Sequence, residues 1–90
     1  MKCFIHVEGT NEGASFLKDY DKQEVDIQSM YKEIDVNSPP LAEMTTLDNK
    51  IHVIQMMDVR IIEEFIFIHC YATDKEGNGG KALLRLKPIN

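Results

Sequence analysis

The side chains best suited to chemistry in this chain are three histidines, two cysteines and a few carboxylates placed at the ends of apolar runs. His6, His52 and His69 each lie inside a β-prone stretch. If those strands were neighbours and the rings shared a face, they would offer the three neutral nitrogens a catalytic zinc ion takes. Zinc motifs place at least two ligands within a few residues of each other, and these three are far apart. The expected state of each is a partly buried, hydrogen-bonded histidine, with no metal and no other cofactor. Cys3 and Cys70 have no C-x-x-C partner spacing, so they read as small buried hydrophobes in a reducing compartment.

Glu8-Gly9 follows one apolar strand, and Asp58 follows the run Ile51 to Met57. This pair resembles the acidic magnesium positions of Toprim nucleases and primases, in which a strand ends in Glu-Gly and a later strand ends in two alternate aspartates. Arg60 stands where the second aspartate belongs, and the intervening elements are too few. The expectation is two ordinary strand-end carboxylates. A nucleophile elbow is absent, and the glycine-rich stretch Asp74 to Gly80 lacks the Lys-Ser/Thr of a phosphate loop.

Net charge is −5, and residues 1–35 hold eight acids against four lysines. Clustered Lys and Arg are what phosphate recognition needs, so nucleic acid is disfavoured as a partner. An acidic surface suits a basic protein instead. Asp19, Asp21, Glu24, Asp26, Tyr31, Glu33 and Asp35 are therefore the candidate partner-binding residues, with Tyr31 as an aromatic anchor among acids. The competing reading is a solvated helix face. No apolar run reaches transmembrane length, and the N-terminal segment does not resemble a signal peptide, so a cytoplasmic protein is expected.

The elements that must position these residues are organised around a hairpin. Glu64 to Thr73 is the most β-prone run, Asp74 to Gly80 supplies a reversal rich in glycine, and Lys81 to Lys87 alternates apolar and basic residues. Phe65, Phe67, His69 and Tyr71 share one face of the first arm and Ile66, Ile68, Cys70 and Ala72 the other, so both faces should be covered. The second arm has one wet face and should lie near an edge. Lys2 to Glu8 reads as a strand stopped by Gly9, and Phe16, Leu17 and Tyr20 suggest a short helix.

Ile27, Met30, Tyr31 and Ile34 fit a helical period between Gln23 and Asp35, with a strand over Met30 to Val36 as the competing reading. Ser38 and Pro39 look like the start of another short helix carrying Leu41, Met44 and Leu47. A strand at Lys50 to Met56 and an ambiguous link, Met57 to Glu63, complete the chain. The pattern predicts one α+β domain over residues 1–90: a small antiparallel sheet of about four strands with two or three short helices packed on one face. An all-β barrel is the alternative.

The function expected is that of a small, acidic, intracellular binding protein without catalytic activity. Inhibitors, antitoxins, immunity proteins and phage-type modulators of a larger protein are of this kind. A metal-dependent enzyme using Glu8, Asp58 and histidines is one alternative. A structural subunit of a homo-oligomeric assembly is the other, and homodimerisation fits a chain of only 90 residues.

Overall fold

The computed structural model describes residues 1–29 and 41–89. Six strands follow one another: β1 (Lys2–Thr10), β2 (Glu24–Ser29), β3 (Leu41–Thr46), β4 (Ile51–Ile62), β5 (Phe65–Thr73) and β6 (Gly79–Pro88). A 3₁₀ helix, Glu12–Tyr20, joins β1 to β2. Every strand pairs antiparallel with the next, and β6 pairs with β1, closing a barrel in the order β1-β2-β3-β4-β5-β6.

This corrects the α+β expectation in favour of the barrel that was its alternative. The segment read as a helix from Gln23 begins as β2, because Glu24, Asp26 and Gln28 alternate with the inward residues Val25 and Ile27. The helix expected to carry Leu41, Met44 and Leu47 also gives way to a strand, β3, whose Ala42, Met44 and Thr46 point inward. In β2 and β3 one face is wetter and the other buried, which is the two-residue period of a barrel wall. Met30, Tyr31, Glu33, Ile34, Asp35, Ser38 and Pro39 lie outside the described residues, as does the competing strand over Met30 to Val36.

The barrel interior is filled by side chains, with Cys3, Ile5, Met44, Ile54, Leu84 and Leu86 almost fully enclosed. Burying a leucine or isoleucine completely contributes about 1.5–3 kcal/mol each. Both cysteines are free and buried, and burial pushes each thiol up to about 11, so they serve as core residues. The β5–β6 hairpin forms as its alternation implies, with Ile68 opposite Leu84 and Cys70 opposite Ala82. Its turn is held by Asp74, whose carboxylate accepts the backbone N–H groups of Glu76 (3.0 Å) and Asn78 (2.9 Å). Gly77, at φ 88°, supplies the left-handed position.

Two further expectations for that hairpin change. β6 is no edge strand, since it lies between β5 and β1 in the closed ring. The aromatic face of β5 is not covered either, and His69 and Tyr71 are exposed while Ile68, Cys70 and Ala72 are buried. Gly9 does not stop β1, which continues to Thr10 past an irregularity in register between Val7 and Gly9. The ambiguous link Met57–Glu63 is largely the second half of β4, which also shifts register between Met56 and Asp58.

The 3₁₀ helix covers one end of the barrel. Ala14, Leu17 and Tyr20 recur every third residue, which matches three residues per turn, and all three are buried. The helix start crosses β6 so closely that a Cβ on Gly13 would collide with the backbone oxygen of Gly79, and one on Gly80 with Asn11 and the Ala14 backbone. Asn11 fixes the crossing, because its side-chain oxygen accepts the Lys81 N–H (3.1 Å) and its own N–H donates to the Lys81 carbonyl (3.0 Å).

Candidate functional site

The expected acidic face does not assemble on a helix. Asp19 sits on the 3₁₀ helix, while Glu24 and Asp26 lie on the outer side of β2. Asp21 accepts the Val7 N–H (2.8 Å), and Asp26 pairs with the N-terminal ammonium (3.0 Å), which holds its carboxyl below the usual range. Two of the four described acids thus have partners within the chain. Tyr31, Glu33 and Asp35 fall outside the described residues.

The histidines do not converge. His6 on β1 and His69 on β5 point outward with β6 between them, whereas His52 on β4 points inward. Among the described residues no three His, Cys, Asp or Glu side chains are grouped to hold a metal ion. Glu8 and Asp58 lie on β1 and β4, separated by β5 and β6 around the ring. Each has its own arginine, Arg85 at 2.9 Å from Glu8 and Arg60 at 3.1 Å from Asp58.

Two other regions stand out. The first is the outer face of β4, β5 and β6. The register shift in β4 places Asp58 opposite His69 and Arg60 opposite Phe67, so that these side chains share the outside of the barrel. Arg85 of β6 lies beside Phe67 in the next pairing, and Leu83 beside His69. The Arg85 guanidinium stands 5.0 Å from the centroid of the Phe65 ring, and Phe65 meets Phe67 edge-on at 6.4 Å. Asp58, Arg60, Ile62, Phe67, His69 and Leu83 line a groove of about 390 Å³ on this face. Ile62 and Leu83 are 54% and 44% exposed, so apolar surface here is left to water.

The second region is the end capped by the 3₁₀ helix. His52 is buried against Phe16, whose ring stacks on it at 5.3 Å, and Tyr20, tilted at the same distance. Neither ring nitrogen of His52 has a hydrogen-bond partner among the described residues. Burial holds its pKa below the ordinary histidine value, against the pull of Asp74 and Asp48, which favours the neutral ring. Tyr20 donates to Asp48 (3.3 Å), and Thr46 also donates to Asp48, which keeps that carboxyl below its usual range. His52 lines a cleft of about 340 Å³ with Phe16, Tyr20, Asp19, Asp74 and Glu76.

Sequence reasoning grouped Phe65, Phe67, His69 and Tyr71 on one face of β5 but expected that face to be covered, and it missed the capped end. The outer face needed the knowledge that β5 has only one covered side, and the buried imidazole needed the barrel to be closed. The signal for the first was present in Phe65, Phe67 and His69 alternating beside arginine-bearing strands.

The fold defines this chain as a six-stranded antiparallel up-and-down barrel with a helical cap. No family model, curated protein or solved structure matches it. No helix among the described residues is long and apolar enough to cross a membrane.

Proposed function

We propose that this protein is a non-catalytic binding module, and that it docks on a larger protein through the outer face of β4, β5 and β6. The observation that carries the reading is the cluster of Ile62, Phe65, Phe67 and Leu83 around Arg60 and Arg85 on a barrel wall that faces water. Aromatic and arginine side chains are the types that dominate the energetics of protein interfaces. Contiguous exposed apolar surface rimmed by charge marks interaction sites on small domains. The acidic residues 19–26 contribute long-range attraction to a basic partner, because the net charge of −5 acts over the whole molecule. Modulators that act by occupying a larger protein, such as inhibitors, antitoxins and immunity proteins, work in this way.

Phe67→Ala combined with Leu83→Asp tests the face, since neither side chain belongs to the enclosed core. The double variant is expected to keep its thermal transition and to lose the partner that the unaltered protein captures from lysate. A partner retained by this variant, and lost instead on charge reversal at Asp19, Asp21, Glu24 and Asp26, would place docking on the acidic stretch. Light scattering of the pure protein at several concentrations separates a foreign partner from a second copy of the chain.

A further inference from the structure

We propose that the cleft at the helix-capped end is a binding site for a small organic cation bearing N–H donors, a primary amine or a guanidinium, with His52 as the acceptor at its floor. His52 is 4% exposed, and both of its buried ring nitrogens lack partners among the described residues. A buried neutral imidazole has one acceptor and one donor nitrogen, and leaving both unmatched is costly, so buried polar groups of this kind are normally paired. Here the ring lines a cleft of about 340 Å³, at the small end of the range for ligand pockets.

The charge around the cleft selects the ligand. Asp19, Asp74 and Glu76 line it, opposed by Lys50 and Lys75, and Lys50 lies 3.9 Å from Asp48 outside the lining. The lining therefore carries three carboxylates against two ammonium groups, a balance of −1. The Asp74 carboxylate is fixed by the Asn78 side chain (3.0 Å) and two backbone N–H groups, and those bonds hold its carboxyl below the usual range. Phe16 and Tyr20 add aromatic rings, which attract cations. Burial favours the neutral imidazole, whose lone pair can accept from an ammonium or guanidinium N–H and is taken up by no group among the described residues.

The site is separate from the docking face of β4, β5 and β6, and either can fail without the other. The test is an NMR titration of the intact protein with agmatine and arginine amide, with inorganic phosphate, acetate and glycerol as controls. Saturable shifts of the His52 imidazole and Phe16 ring signals are expected with the two cations only. His52→Phe keeps an aromatic ring in the stack, and should abolish those shifts while the protein still melts cooperatively. Asp19→Asn, on a side chain outside the core, should weaken binding several-fold and reduce its dependence on salt. The inference is overturned by a Kd weaker than roughly 10 mM for both cations, by saturable binding of phosphate or acetate in their place, or by an unchanged titration in Asp19→Asn. Imidazole nitrogen shifts that show both atoms already bonded to water, and unaltered by agmatine, overturn it as well.

Discussion

One flank of this barrel turns half-buried aromatic and exposed aliphatic side chains towards water, while the helix-capped end shuts an imidazole away from it. Phe65, Phe67, Ile62 and Leu83 lie on the outside of the wall, and His52 lies on the inside with its nitrogens unmatched among the described residues. Both depart from the rule that apolar groups are enclosed and polar groups solvated, and they depart in opposite directions. Such local conflicts with packing concentrate where a protein binds something. They also differ in what the fold requires of them. The capped end depends on backbone crossing backbone at Gly13 and Gly80, whereas the outer face could change its side chains without disturbing the ring.

A large effect is therefore expected at the crossing. Gly80→Ala sets a methyl group against Asn11 and the Ala14 backbone, neither of which can withdraw cheaply. Loss of roughly 2–4 kcal/mol is expected by urea denaturation, whereas Gly9→Ala, with nothing within 4 Å of the new Cβ, should stay close to the unaltered protein. Equal melting of the two variants would mean that the cap is not held by this contact.

Adjacent residues of β6 sharpen the comparison between inside and outside. Leu84 is fully enclosed and Leu83 is 44% exposed. Leu84→Ala should cost about 2–5 kcal/mol of stability, and Leu83→Ala within about 0.5–1 kcal/mol. The order should invert when partner capture is read instead of melting.

The smallest effect is a dependence on pH. Burial holds the folded-state pKa of His52 below the ordinary 6.5, so below that pH the unfolded chain binds a proton that the folded chain resists. Its contribution is fully present above the unfolded pKa and is lost as pH falls towards the folded one. Urea midpoints should drop between about pH 7 and about pH 5 in the unaltered protein and less so in His52→Phe. Asp26, Asp48 and Asp74, with pKa values lowered from 3.8, lose their contributions only in more acidic solution, so the two windows are separable.

What was legible in the chain follows the same division. The β5–β6 hairpin could be read because both arms alternate and Asp74 to Gly80 carries turn chemistry in nearly every position. The first strand was equally plain. β2 and β3 were not, because Ile27, Met30, Tyr31 and Ile34 also satisfy a helical period and Leu41-Ala42-Glu43-Met44 is made of strong helix formers. The deciding signal was the alternation of Glu24, Asp26 and Gln28 with Val25 and Ile27, which is short and easily outvoted. Ring closure is a tertiary event with no local signature, and the burial of His52 depends on it. Nor does any local pattern announce the partners of Asp21 and Asp26, which lie in β1 and at the N-terminus, far from them in sequence.

Five of the six strand pairings join neighbours in the chain, and the sixth joins the first strand to the last. Hairpins β2–β3, β3–β4, β4–β5 and β5–β6 can each form within a short span, paying little loop-closure entropy. The β1–β6 seam, with Asn11 bonded to Lys81 across 70 positions, requires the whole chain to be gathered first. The order of assembly is thus written into the topology, with the seam as the slow, late step that non-local pairing imposes on folding rates. Until it closes, the helical cap has no β6 to cross, and the barrel is a curved open sheet whose first and last strands each leave one edge unpaired.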